Sequence, residues 1–269
     1  MLYERDYNLG LTEDELIQYR NITGRDFGAD RSSGFGRVNT PSKYPKAARM
    51  FKTLFPNNYL DFIDLKDNEK LSNINERYLK LIDDADSTER DIINFIKAER
   101  GYHVIGSIVR GCHLNTGHNG AFLFPEFQLS NCYVADYLLC GRSSGGYEFV
   151  FVELEHPRGN ITMKNGDLGH EIRDGISQLK EWRRWLESNY SSFNTTFKKY
   201  KNPNIQLPEE FYTLDSSRFH YVIVAGRRSD FAELTHRIRR EIRQSENINI
   251  LHYDNLYDYS NLLIGKNTY

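Results

Sequence analysis

Apolar and polar positions along the chain change period several times, and each change marks an element. Tyr133–Leu139 and Glu148–Leu154 are short runs rich in β-branched and aromatic residues. The cluster Gly141-Arg142-Ser143-Ser144-Gly145-Gly146 between them is a turn, so the pair predicts a β-hairpin. Downstream, Ile172, Ile176, Leu179, Trp182 and Leu186 recur at helical spacing and predict a helix from about Leu168 to Glu187. Asn189–Leu214 then reads as a polar linker. Phe219–Ala225 predicts a buried strand, Asp230–Arg243 a helix with a basic side, and Asn249–His252 a last strand. Upstream, Ile92, Ile93, Phe95 and Ile96 stripe a helix from Glu89 to about Arg100, with Ser87 as its N-cap. Tyr102–Arg110 reads as a strand and Ala121–Leu129 as another. Before residue 85 the pattern is weaker. Thr12 with Glu15 three residues on signals a helix start, and Ala47–Phe55 and Ile74–Ile82 read as helical. Gly24–Pro45 reads as a long turn-rich loop. The order of elements predicts an α/β (α+β) chain with a mixed central sheet flanked by helices. The acidic run Asp83-Asp84-Ala85-Asp86 divides it into a largely helical and loop region, residues 1–85, and a domain over 86–269.

Three carboxylates fall on the hairpin. Glu153 and Glu155 are two apart on one strand, so both point to one face, about 6–7 Å apart. Asp136 on the partner strand can face them if the hairpin closes. Acidic oxygens gathered at one point suit a hard divalent cation. Glu153, between Val152 and Leu154, needs a partner in so apolar a strand. Gln178 lies beside the apolar stripe of its helix, and Glu89 opens a helix, where a carboxylate complements the dipole.

Composition narrows the classes. Of 269 residues, 39% are hydrophobic and 13% aromatic, enough for a packed core. A net charge of −2 leaves nucleic-acid binding to local patches, with Arg183, Arg184, Arg227 and Arg228 among the candidates. Three cysteines leave an odd thiol and favour a reducing compartment. Cys112, His113 and His118 lack the ligand spacing of a zinc site, and Gly34-Phe35-Gly36 lacks the strand–helix context of a phosphate loop. No apolar run approaches the roughly 18 residues of a membrane span. The first residues do not read as a signal peptide. The expectation is a cytoplasmic protein without a membrane segment.

An Asp on one strand and Glu-x-[Glu/Lys] on the next, followed by helix and strand, resembles the αβββαβ core of PD-(D/E)XK nucleases. Glu153-Leu154-Glu155-His156-Pro157 stands where that core has its E-x-K, and Gln178-Leu179-Lys180-Glu181-Trp182 resembles the Q-x-x-x-aromatic helix motif of RecB-like members. Within that group the chain resembles the Shedu (SduA) family of anti-phage defence proteins over about residues 86–258. The residues that carry the likeness are Ala135–Leu139, Phe151–Pro157, Gln178-x-x-x-Trp182-x-x-Trp185, Ala225-Gly226-Arg227-Arg228 and His252-Tyr253-Asp254-x-Leu256. The resemblance implies a metal-dependent DNA endonuclease, a hydrolase of phosphodiester bonds, assembled as a homo-oligomer. It implies Mg²⁺ or Mn²⁺ held by Asp136, Glu153, Glu155 and Glu89, with Gln178 orienting water or phosphate. Glu155 departs from the usual lysine. Lys164, in the following loop, is the candidate replacement cation, because Lys180 lies about 200° round the helix from Gln178. The alternative reading is a nuclease-fold protein that binds nucleic acid or a phage component without cutting.

Overall fold

The structure, a computed structural model, describes residues 1–26 and 45–269, with side chains over 1–21 and 45–269. Gly34-Phe35-Gly36 lies outside the described residues. Helices α1 (Glu13–Asp26), α2 (Lys46–Phe51), α3 (Asn68–Asp83), α4 (Glu89–Glu99) and α5 (Tyr102–Gly111) precede strands β1 (Ala121–Gln128), β2 (Val134–Ser143) and β3 (Gly146–Leu154). Then come α6 (His170–Tyr200), β4 (Phe219–Val224), α7 (Glu233–Glu246), β5 (Ile248–Leu251) and α8 (Tyr253–Leu263). None of the helices is long and apolar enough to cross a membrane, among the described residues.

The five strands form one mixed sheet in the order β1-β2-β3-β4-β5. β1, β2 and β3 make an antiparallel meander, while β3, β4 and β5 run parallel. The parallel pairs need crossovers, which α6 and α7 supply. Side chains alternate between two cores. Val150, Val152, Leu154, Val222 and Val224 join Ile92, Ile96, Ile105 and Leu256 on one face. Phe149, Phe151, Tyr221 and Ile223 join Leu179, Trp182, Phe193 and Phe197 of α6 on the other. Leu71, Ile74, Tyr78 and Ile82 of α3 belong to the first core.

Several expectations need correction. Tyr102–Arg110 is helix α5, not a strand. Its residues are buried on every side, from Tyr102 to Val109, so the run shows no polar face from which a helical period could be read. The N-cap of α4 is Thr88 rather than Ser87. Thr88 Oγ1 accepts the Asp91 N–H, and Asp91 Oδ2 accepts the Thr88 N–H. The Ser87 hydroxyl instead donates to the Leu81 carbonyl at 2.6 Å. The stretch after Asn189 is not a linker at its start. α6 continues through a kink at Asn189 (φ −133°) to Tyr200, because Tyr190, Phe193 and Phe197 extend its apolar stripe. The capping pair Thr12 and Glu15 forms as expected, with the Thr12 N–H donating to Glu15 Oε2 at 2.9 Å.

One end of the sheet collects the carboxyl ends of β3, β4 and β5 and the start of β2. The crossover helices begin from this end, which is where open sheets with parallel strands bind ligands.

Candidate active site

The β2–β3 ladder stops at the Tyr137–Val152 pair. Beyond it Asp136 Oδ2 accepts the Leu154 backbone N–H at 2.8 Å, taking the place of a main-chain carbonyl. Across β2, the pairs Pro125–Tyr137 and Phe127–Ala135 put Glu126 opposite Asp136. Glu126 has φ 47°, a left-handed backbone uncommon for a residue other than glycine.

Glu153 shares the α6-facing side of β3 with Phe149 and Phe151, and is 8% exposed. Gln178 Nε2 of α6 donates to Glu153 Oε1 at 2.5 Å. Glu153 Oε2 is buried with no partner among the described residues. Glu155 lies just past β3, and its N–H donates to the Val224 carbonyl at 2.8 Å, holding it in line with β4. The Tyr253 hydroxyl donates to the Glu155 carbonyl at 2.7 Å. A Cβ at Gly175 would stand 2.9 Å from Glu155 Oε1, so glycine in α6 makes room for that carboxylate. The expected shared face of Glu153 and Glu155 is present.

Burial and mutual repulsion raise all these carboxyls. Glu153 is pushed up to about 10, first by burial, then by Asp136, Glu155 and Glu89. Glu155 is pushed up to about 8 by burial, with Glu89, Glu171, Asp136 and Asp174 adding to it. Asp136 rises to about 7 through burial and the charge on Glu89 and Glu126, against the pull of the Leu154 N–H and Arg90. Glu89 is raised by burial, opposed by Arg90 and His156. The four carboxylates singled out in the sequence thus occupy one electrostatic neighbourhood.

Glu171, Asp174 and Glu126 join them and were not foreseen. Glu171, Asp174 and Gln178 are spaced i, i+3 and i+7, which puts them on one helical face. That spacing was the available signal. As positioned, no three His, Cys, Asp or Glu side chains form a metal-ligating group among the described residues. The donor chemistry nevertheless suits a hard cation. Oxygens dominate, they repel one another, and Glu153 Oε2 is an acceptor that no donor among the described residues satisfies. Cys112 is buried and its thiol is pushed up to about 12, also by burial.

Lys164 and the four arginines proposed for nucleic acid sit in different surroundings. Lys164 is exposed in the loop before α6 and makes no ion pair or hydrogen bond among the described residues. That loop is drawn towards α7, where the Thr235 hydroxyl donates to the Gly166 carbonyl at 3.0 Å. Arg183 lies 4.7 Å over the Tyr221 ring and donates to the Glu246 carbonyl, near the start of β5 and away from the strand ends. Arg184 is exposed on α6. Arg227 is committed internally: Nε and Nη2 grip Asp254 at 3.1 and 2.7 Å, and Nη1 reaches the Ile82 carbonyl and Asp83. Arg228 pairs with Asp258 at the surface.

Among curated proteins nothing matches the chain. A family model described as Shedu protein SduA, C-terminal, matches residues 86–257, from the turn before α4 into α8. The matched region covers well over half of the chain and holds Glu89, Asp136, Glu153, Glu155 and Gln178. The chain therefore belongs to the Shedu protein SduA family.

Proposed function

We propose that this protein is a metal-dependent DNA endonuclease of anti-phage defence, working from the Asp136–Glu153–Glu155 cluster on a PD-(D/E)XK-like core. The observation that carries the reading is Glu153, a buried carboxylate with one oxygen held by Gln178 and the other without a donor among the described residues. A buried anion in that state is unfavourable by itself and becomes favourable beside a cation. The order α4, β1–β2–β3, α6, β4 supports the αβββαβ core, with α5 added after its first helix.

Asp136, Glu153 and Glu155, with Glu89 behind them, are the residues that would hold Mg²⁺ or Mn²⁺. Such an ion supplies a bound water of lowered pKa and polarises the phosphate. The chain's own parts are definable. Gln178 fixes Glu153 Oε1, and Oε2 is the oxygen that would be left for a cation. Tyr253 and Val224 pin the backbone of Glu155 from two sides. Glu155, more exposed than Glu153 and pushed up to about 8, would accept a proton from water only once a bound cation had displaced its own. DNA is the proposed substrate and a homo-oligomer the proposed assembly, both on the family's account. A cytoplasmic location fits the three free cysteines.

A second reading, binding without cutting, is favoured by one observation. Glu155 occupies the lysine's place, and Lys164 does not reach the cluster. Purified protein incubated with linear and supercoiled DNA in Mg²⁺, Mn²⁺ or EDTA, with Glu153→Gln alongside, separates the two. Cleavage that needs metal and vanishes in the variant supports the nuclease. Folded wild-type protein that retards DNA but never cuts it supports the second reading. Equal cleavage by both proteins places the chemistry elsewhere.

A further inference from the structure

We infer that Arg90 is the cation that meets the substrate phosphate at this cluster, in place of the lysine that Glu155 displaces, with Glu126 holding it until substrate arrives. The inference rests on the nuclease reading and deepens it.

The need comes from charge. At the strand ends Glu89 and Glu126 act on Asp136, Asp136, Glu155 and Glu89 on Glu153, and Glu89, Glu171, Asp136 and Asp174 on Glu155. A phosphodiester adds a further negative charge, and metal alone leaves its non-bridging oxygens without a hydrogen-bond donor from the protein. Most nearby cations are already committed. Arg158 donates to the carbonyls of Ile82 and Asp83, and Arg227 is taken up by Asp254, Asp83 and Ile82. Lys180 pairs with Glu246, and His170 with Asp174. His156 accepts the Arg158 N–H at Nδ1, at 3.0 Å.

Arg90 differs. It follows Glu89 in the first turn of α4, and its charge acts on both Glu89 and Asp136. Its Nη1 lies 3.1 Å from Glu126 Oε1, in a pair whose side chains are 62% and 46% exposed. An exposed pair of this kind is weak and exchanges its partner readily. A guanidinium fork fits phosphate oxygens in pairs. Glu126 itself stands opposite Asp136 in left-handed backbone, a conformation that costs energy and is found where a site requires it. Cation, holding carboxylate and metal-facing carboxylate thus line one flank of the cluster.

The test reads binding and cleavage separately. A fluorescein-labelled DNA duplex is titrated with wild type, Arg90→Gln, Arg90→Lys and Glu126→Gln, in Ca²⁺ and over a series of salt concentrations. Arg90→Gln is expected to bind about 10-fold more weakly and to lower the slope of log affinity against log salt by about 1. Arg90→Lys keeps the slope, and Glu126→Gln tightens binding. In Mg²⁺, Arg90→Gln is expected to cut ~100-fold more slowly with a midpoint for metal no higher than that of wild type. Arg90→Gln that binds and cuts as wild type does overturns the inference and leaves the nuclease standing. So does an equal loss in Arg90→Gln and Glu126→Gln with a lowered melting temperature, which would make the pair a tie between α4 and β1. If wild type binds but never cuts, the nuclease reading fails, and the slope change in Arg90→Gln still supports a phosphate contact. If wild type does not bind DNA at all, both fail.

Discussion

Gln178 joins a buried carboxylate to the helix behind it, and its worth lies in what it prevents. Without its amide, Glu153 Oε1 would be as unpartnered as Oε2, and the carboxylate would be free to turn. Gln178→Ala is therefore expected to weaken the apparent metal affinity, or to slow cleavage, by about 10- to 100-fold. Stability should fall by about 1–3 kcal/mol, the cost of a buried acceptor left unpaired. A metal titration of cleavage, with urea unfolding alongside, checks both; a variant matching wild type in both would remove Gln178 from the site. At this scale the sequence was informative where chemistry conflicted with pattern. Glu153 stood out between Val152 and Leu154, and Gln178 beside an apolar stripe. Glu171 and Asp174 did not stand out, because an acid in a first helical turn, as Glu171 is, or on an exposed helix face, as Asp174 is, is ordinary. Lys164 stands apart from the cluster for another reason. Its loop follows a path set by Gly166 and Thr235, 69 residues apart, and local sequence carries no trace of that contact.

Among the elements, α6 and the turn after β4 decide how firmly the site is held. α6 starts beside Glu155 and ends in an aromatic cluster. Phe197 contacts Phe55, Phe124, Phe127, Phe149, Phe193 and Phe211 there, with ring centroids 4.8–5.8 Å apart. Phe197→Ala should cost about 3–5 kcal/mol in chemical denaturation, a buried ring lost with little room to collapse. A loss under about 1 kcal/mol would mean that this end of α6 is not anchored as described. The tail of α6 looked like a linker because Ser, Asn and Thr dominate its composition, although its phenylalanines keep the helical period. α5 was misread for the opposite reason: uniform burial hides a period. The turn after β4 gives a contrast between neighbours. Arg227 and its partner Asp254 have side chains 11% and 17% exposed, and Arg227 also joins the end of α3. Arg227→Ala is expected to cost about 3–5 kcal/mol, the penalty for stranding a buried charge. Arg228→Ala, which breaks an exposed pair with Asp258, should cost less than about 1 kcal/mol. Similar losses in the two variants, measured by urea unfolding, would remove the distinction.

For the whole molecule, the sheet changes from antiparallel to parallel pairing at β3, so the strand that carries Glu153 is also the pivot of the fold. Placing acids at that point has a thermodynamic consequence that extends beyond the site. Asp136, Glu155 and Glu153 keep their protons in the folded chain up to about 7, 8 and 10, against ordinary values of 3.8 for Asp and 4.5 for Glu. Above those ordinary values the unfolded chain has lost these protons while the folded chain still holds them. The folded state then binds more protons, so stability falls as pH rises. The fall begins near pH 4 and continues through the folded values of Asp136 and Glu155. A divalent cation that binds the ionised cluster reverses the trend by rewarding deprotonation, and contributes about 2.7 kcal/mol at a hundred times its dissociation constant. Melting curves between pH 5 and 9 should therefore show a midpoint that drops with pH in EDTA and drops less, or rises, in Mg²⁺ or Mn²⁺. Glu153→Gln keeps an uncharged side chain of the same shape, so it should raise the midpoint at pH 8 in EDTA and shrink the response to metal. A metal response equal to wild type in this variant would show that the cation binds away from the cluster. A flat pH profile in EDTA would show that these carboxyls do not hold their protons in the folded chain.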